Sequence, residues 1–144
     1  MAGTTYVDTS VIVALIVPEP HSAAVAAWYE RAAAELVAAA WCVPEFASAL
    51  AMKQRTGHLS AAQAGKAWEL FERMTANDLA LLPVRAEDFH RAAVLTLDAA
   101  SGLRAGDALH LACAEGSGAK VLATLDATQA RAATKLKIKP MTFG

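Results

Sequence analysis

Short strand-like segments alternate with helical ones along the whole chain, and this alternation limits the possible folds more than any other feature. We predict strands at five places: residues 4–7, 36–40, 79–84, 120–125 and, as an edge strand, 136–140. Apolar spacing, capping residues and helix-ending glycines predict helices at 21–34, 44–55, 60–74, 86–98, 104–115 and 127–134. Strands separated by helices are typical of a parallel sheet. The chain is therefore predicted to form one α/β domain over residues 1–144, with a central parallel sheet of four to five strands and helices on both faces.

The composition excludes several classes of protein. Thirteen Lys and Arg residues nearly balance 14 Asp and Glu residues, which argues against binding to nucleic acid mainly through bulk positive charge. Cys42 and Cys113 are the only cysteines, which excludes a disulfide framework or a zinc ribbon. The longest apolar runs, 11–17 and 36–43, are shorter than the ~18–20 residues of a membrane-spanning helix, and the first residues lack a signal-peptide pattern. We therefore expect a cytoplasmic protein that does not enter a membrane.

Four carboxylates fall where an α/β sheet gathers its ligands, beyond the carboxyl ends of parallel strands. Asp8 follows the first predicted strand, and Asp126 follows the fourth. Glu45 begins the helix after the second strand, and Asp107 lies in the first turn of the helix before the fourth. Each acid also suits a helix N-terminus, where a carboxylate accepts backbone N–H bonds, and Gln129 stands in the reciprocal capping position to Asp126. Capping explains each acid alone, but it does not explain why four would converge on one edge of the sheet.

Carboxylates that converge in this way require a cation or altered protonation. Two of them ~5 Å apart repel each other by roughly 3 kcal/mol at an effective dielectric constant of 20, which raises carboxyl pKa values or favours metal binding. An all-oxygen donor set without His or Cys suits Mg²⁺ or Mn²⁺ better than zinc. Such ions are commonly held together with substrate phosphates, so the chemistry that we expect is metal-assisted attack of water on a phosphodiester.

Four motifs, in order along the chain, resemble those of PIN-domain nucleases. They are residues 6–10 (YVDTS), 43–46 (VPEF), 103–112 (LRAGDALHLA) and 122–126 (LATLD). The third motif is the most specific, and the order, spacing and total length are similar across essentially the whole chain. The sequence most closely resembles the toxin component of VapBC-type toxin–antitoxin pairs, which are small single-domain ribonucleases.

The resemblance implies a Mg²⁺- or Mn²⁺-dependent endoribonuclease that acts on RNA, is inhibited by a cognate VapB-like antitoxin and commonly forms a homodimer. Carried over to this sequence, it implies that Asp8 and Asp107 are the main metal ligands. Glu45 would complete the acidic cluster that holds the metal, and Asp126 would be a ligand that often acts through water. All four acids of the family pattern are present.

Several neighbours of these acids are candidate supporting residues. Thr124 precedes Asp126 by two, so on a strand both share a face, and Thr124 or Ser10 could donate a hydrogen bond to a carboxylate. Arg104 precedes Asp107 by three and could hold a substrate phosphate, orient Asp107 or form an ordinary surface ion pair.

His110 and three lysines are weaker candidates. His110 follows Asp107 by three residues, but we expect a packed or solvated histidine rather than a functional one. Lys135, Lys137 and Lys139 alternate, so on a strand they would form a stripe on one face. Such a stripe suits contact with RNA phosphates or protection of an exposed sheet edge.

Two other functions are weighed against the ribonuclease. A non-catalytic RNA- or protein-binding module on the same scaffold remains the alternative, although all four acids are retained. A phosphatase of the haloacid-dehalogenase type needs a second Asp two residues after the first, where this chain has Ser10.

Overall fold

The computed structural model describes residues 3–143, and over this range it confirms the predicted α/β architecture. Five strands form one sheet: β1 Thr4–Val7, β2 Glu35–Ala39, β3 Leu79–Leu82, β4 Val121–Ala123 and β5 Lys139–Met141. Seven α-helices accompany them: α1 Thr9–Ile16, α2 Ser22–Arg31, α3 Cys42–Arg55, α4 Ala61–Asn77, α5 Ala86–Leu97, α6 Ala105–Ser117 and α7 Ala127–Lys135. None of these helices, within the range described, is both long and apolar enough to cross a membrane.

All neighbouring strands run parallel, in the order β3-β2-β1-β4-β5. The central strand β1 pairs with β2 on one side and β4 on the other, so that Thr5 lies between Leu36 and Val121. The strand order therefore changes direction at β1. In open parallel sheets, the crevice beyond the carboxyl ends of the strands at such a switch point is where ligands bind. The segments that follow β1 and β4 meet there.

Helices cover both faces of the sheet, and each face has its own apolar core. Successive residues of a strand point to opposite faces, so Val7 packs with α1 to α4 whereas Tyr6 packs with α5 to α7. Cys42 lies in the first core and Cys113 in the second, and both are buried. The two cores fix the helices whose first turns surround the crevice.

The three lysines near the end of the chain do not share a strand face, so the prediction of a lysine stripe on one strand is wrong. Lys135 is the last residue of α7, Lys137 adopts a left-handed φ of 62°, and only Lys139 lies in β5. The chain turns there because the amide of Ile138 bonds back to the carbonyl of Ala133 and its side chain is buried in the second core. The predicted edge strand does form, two residues shorter and further along the chain.

Candidate active site at the carboxyl ends of β1 and β4

Asp8 forms the centre of the crevice, directly after β1. The residue is 5% exposed, and its side-chain Oδ2 accepts hydrogen bonds from the hydroxyls of Ser10 at 2.7 Å and Thr124 at 3.0 Å. Burial raises the pKa of Asp8 above its ordinary value, although His110 and both hydroxyls act in the opposite direction. Asp8 occupies the N-cap position of α1, yet its carboxylate makes no capping bond to any described backbone amide. Capping therefore does not explain this acid.

Asp107 lies in the first turn of α6 and faces the other acids. Burial raises its pKa first, and the carboxylates of Asp126, Asp8 and Glu45 raise it further. Repulsion of this kind falls off with distance, so the four acids, which come from four separate segments, share one electrostatic environment. The structure thus places the four predicted acids around one crevice, although among residues 3–143 no three of their side chains are arranged around a common metal position.

Glu45 is held by donors on several sides in the first turn of α3. Its Oε1 accepts the Thr9 hydroxyl at 2.6 Å and also contacts His110 Nε2, and the Trp41 side chain donates as well. Burial raises the pKa of Glu45, but these hydrogen bonds outweigh it and leave the pKa below its ordinary value. Glu45 is therefore ionised and fixed at neutral pH.

His110 belongs to this site, and the expectation of a merely packed or solvated residue gave it too little weight. The ring is fully buried, with Nδ1 2.7 Å from the Tyr6 hydroxyl and Nε2 against Glu45 and 3.9 Å from Asp8 Oδ1. Burial lowers the pKa of His110, but Glu45, Asp8 and Asp107 outweigh it and raise the pKa. The available signal was its position three residues after Asp107, which places both side chains on one face of α6.

Asp126 both caps a helix and belongs to the acidic site. Its Oδ1 accepts the backbone N–H groups of Thr128 at 2.8 Å and Gln129 at 3.2 Å, so the predicted cap of α7 forms. The reciprocal pattern also predicted a bond from the Gln129 side chain back to the cap, and this prediction is wrong. The side chain bonds instead to the Asp107 carbonyl and the Thr124 hydroxyl. Asp126 also contributes to the raised pKa of Asp107, so it caps the helix and faces the cluster.

The three supporting candidates differ in what they contact. Ser10 and Thr124 both donate to Asp8, and Thr124 also accepts the backbone N–H of Asp126 at 3.0 Å. Arg104 is the exposed N-cap residue of α6, and no ion pair joins it to Asp107 in the part of the chain that the structure describes. Arg104 therefore does not orient Asp107, whereas a role toward a substrate phosphate stays a prediction.

The chemical types of the donor atoms fit a hard divalent cation, although the side chains are not arranged in a coordination geometry around one. Among residues 3–143, no group of three or more His, Cys, Asp or Glu side chains is arranged to hold a metal ion. Apart from His110 Nε2, which contacts Glu45, the polar groups at the crevice are carboxylate and hydroxyl oxygens, the donors that Mg²⁺ and Mn²⁺ prefer. Asp8 and Asp107 carry the raised pKa values that an added cation would reverse. These two, with Asp126, are the residues that would hold it, whereas Glu45, the fourth acid expected at the metal, is already engaged by Thr9 and His110.

A family model accounts for most of the chain. Residues 5–135 match the model of the PIN domain, and the chain belongs to the PIN-domain family. A comparison with curated proteins finds no significant match.

Several solved structures are similar over nearly their whole length. FitAcB from Neisseria gonorrhoeae is 20% identical with a TM-score of 0.72, covering 95% of this chain and 96% of that one. VapC20 from Mycobacterium tuberculosis, a sarcin-ricin loop cleaving toxin, is 15% identical with a TM-score of 0.72, covering 89% and 94%. VapBC2 from Rickettsia felis, bound to a promoter DNA fragment, is 12% identical with a TM-score of 0.66, covering 98% and 99%. At these identities the likeness establishes the fold.

Proposed function

We propose that this PIN-domain protein is a Mg²⁺- or Mn²⁺-dependent endoribonuclease that acts as the toxin of a toxin–antitoxin pair. The observation that carries the proposal is the placement of four carboxylates at the starts of α1, α3, α6 and α7, around the crevice beyond the carboxyl ends of the strands. Negative charges in this arrangement repel a phosphodiester unless a divalent cation joins them. Structural similarity to a toxin and to two toxin–antitoxin assemblies supports the biological role.

The residues of the chain would prepare the site in distinct ways. A bound ion would polarise the scissile phosphate and lower the pKa of the attacking water. Asp8, Asp107 and Asp126 would hold that ion, and the hydroxyls of Ser10 and Thr124 fix the Asp8 carboxylate by bonding to one of its two oxygens. Glu45, kept ionised by its hydrogen bonds, adds a permanent negative charge to the same site.

Conservative replacement of the acids tests the chemistry. Asn keeps the size of Asp but cannot replace an anionic ligand, so Asp8→Asn and Asp107→Asn should abolish cleavage of total RNA in Mn²⁺ or Mg²⁺. Their stability should be unchanged or raised, because repulsion is relieved. Asp88→Asn is the matched control: Asp88 holds the same position in the first turn of α5 as Asp107 does in α6, but its carboxylate bonds to the Arg85 backbone N–H at 2.9 Å and to the Cys113 thiol. Parental cleavage by both site variants, or cleavage in excess chelator, contradicts the proposal.

The antitoxin is proposed to cover the acidic crevice with a basic side chain, which would take the place of the cation. Expression of the parental protein alone should arrest growth, and co-expression of the product of a neighbouring gene should relieve the arrest. Asp107→Asn should be harmless in the same cells. Harmless expression of folded parental protein argues against a toxin.

A homodimer is proposed through α5 and α6. A groove of about 550 Å³, lined mainly by apolar side chains that include Ala93 and Leu109, runs between these helices. Leu97 and Phe89, which are 82% and 55% exposed, form part of its lining. A twofold interface uses the same patch on both copies, and an apolar patch is complementary to itself because each copy shields the apolar side chains of the other from water.

Charge placed on Leu97 tests this interface. Leu97→Lys should convert a dimer to a monomer in sedimentation analysis. Met52→Lys, at an exposed apolar residue of α3, is the control and should leave the dimer intact. A parental monomer, or a dimer that survives Leu97→Lys, would show that this face is not the interface.

The alternative, a non-catalytic binding module, keeps one observation in its favour. No three-residue metal group stands preformed among residues 3–143, and Glu45 is already engaged by His110. Retention of RNA without cleavage in saturating Mn²⁺ would support that function over the ribonuclease.

A further inference from the structure

Gln129 joins three acid-bearing segments, although it carries no charge itself. It lies in the first turn of α7 and is fully buried. Its backbone N–H donates to Asp126 Oδ1 at 3.2 Å, and its side-chain Nε2 donates to the backbone carbonyl of Asp107 at 3.1 Å. Its Oε1 accepts the hydroxyl of Thr124 at 3.1 Å. One side chain thus connects the start of α6 to the turn between β4 and α7.

Thr124 extends this connection to Asp8. The Thr124 oxygen accepts the backbone N–H of Asp126 at 3.0 Å, and its single proton faces Asp8 Oδ2 at 3.0 Å and Gln129 Oε1 at 3.1 Å. Gln129 is therefore separated from the Asp8 carboxylate by one hydroxyl group. Of the four acids of the site, Asp126 is bonded to Gln129 through its carboxylate and Asp107 through its backbone carbonyl. Asp8 lies beyond the Thr124 hydroxyl, whose one proton is shared between Asp8 Oδ2 and Gln129 Oε1.

The orientation of the Gln129 amide is determined by its partners. A backbone carbonyl only accepts hydrogen bonds, so the Nε2 group must face Asp107. The amide oxygen then faces Thr124, the one partner that can donate to it. The Nε2 group bonds to a carbonyl and Oε1 lies against the shared hydroxyl, so the buried amide cannot rotate without facing its oxygen to another acceptor and leaving a polar group unpaired. The first turn of α6 is thereby tied to the end of β4.

We propose that Gln129 is a positioning residue for the candidate metal site: it sets the distance of Asp107 from Asp8 and Asp126. This inference rests on the proposed metal-dependent function. Partners that orient ligands from outside the coordination sphere typically affect metal affinity by about 10- to 100-fold. A residue that only stabilises the fold would leave metal affinity unchanged wherever the protein remains folded.

Binding of Mn²⁺ to the purified, metal-stripped protein, followed by electron paramagnetic resonance, separates these roles. Gln129→Met keeps a side chain of similar length but removes both amide groups, and it should weaken Mn²⁺ binding by about tenfold or more. Gln63→Met is the matched control, because Gln63 also bonds through its side chain in the first turn of a helix, at the capping box of α4. It should cost stability while changing Mn²⁺ affinity less than about twofold. Equal Mn²⁺ affinity of folded Gln129→Met and parental protein overturns the proposal.

A second pair of variants keeps the proposal testable if Gln129→Met does not fold. Thr124→Val removes the hydroxyl between Gln129 and Asp8 at constant shape, and Thr124→Ser restores it. Mn²⁺ affinity should fall in the first and recover in the second, and a parental affinity in Thr124→Val overturns the proposal. If the parental protein binds Mn²⁺ but cuts no RNA, the proposed ribonuclease function is wrong, whereas the positioning role of Gln129 is unaffected. If the parental protein binds no Mn²⁺, both proposals are wrong.

Discussion

The Tyr6 hydroxyl offers a test of the buried hydrogen-bond network that is independent of any metal. It accepts the backbone N–H of Ala39 at 3.0 Å and bonds to His110 Nδ1 at 2.7 Å, and all three residues are fully buried. Burial raises the pKa of Tyr6 well above its ordinary value, so the hydroxyl is neutral in the folded protein. Tyr6→Phe therefore removes two hydrogen bonds without changing charge and with little change in packing.

The expected loss follows from the groups left behind. The Ala39 N–H and the His110 Nδ1 would each lose a partner in a site that water does not reach, and an unpaired buried group costs about 1–3 kcal/mol. We expect Tyr6→Phe to lower the free energy of unfolding by about 2–6 kcal/mol, a large part of the 5–15 kcal/mol typical of a domain.

Urea denaturation in the presence of chelator measures this loss. The chain offers a matched control in Tyr29→Phe, because the Tyr29 hydroxyl bonds to Asp78 at 2.9 Å on the surface. Surface changes of this kind usually stay within about 0.5 kcal/mol. The comparison is valid only if the slope of the unfolding free energy against urea concentration is the same for the parental protein and both variants. Equal stabilities of the two variants would refute the assignment of the Tyr6 hydroxyl to a buried network.

Three further outcomes are expected. Burial, followed by nearby carboxylates for Asp107, raises the pKa of Asp8 and Asp107, so their contribution to stability is fully present below about pH 4 and is lost as pH rises through the folded pKa values. As pH is lowered from 7 to 5, metal-free parental protein should therefore gain stability relative to the Asp8→Asn/Asp107→Asn double variant, as measured by urea titration. The same pH dependence of stability in both proteins would contradict this. Lys137 has a φ of 62°, a left-handed conformation that is strained for a residue with a Cβ atom, so Lys137→Gly should raise the free energy of unfolding by about 1 kcal/mol. A less stable variant would argue against strain there. Burial raises the pKa of the Cys42 and Cys113 thiols to about 12, so neither should react with an aromatic disulfide reagent at pH 8 until denaturant is added; rapid reaction of native protein would show an open core.

The sequence alone predicted the α/β sheet and the edge at which the four acids meet. Both depend on local features: apolar periodicity defines each strand, and Asp8 and Asp126 follow directly after β1 and β4. Once the strands are parallel, their carboxyl ends must lie on one side, so residues that follow them converge without any knowledge of side-chain packing. The capping of α7 by Asp126 was also predictable, because a cap depends only on the residues at the start of the helix.

Only the tertiary structure decided which neutral and basic residues serve that edge. His110 bonds to Glu45 across 65 residues and to Tyr6 across 104, and Gln129 reaches Asp107 across 22. The lysine stripe failed because burial of Ile138 turns the chain after α7, whereas alternation assumes an extended strand. A side chain's partner depends on how α3, α6 and α7 dock against the sheet, and docking is determined by the packing of both cores together.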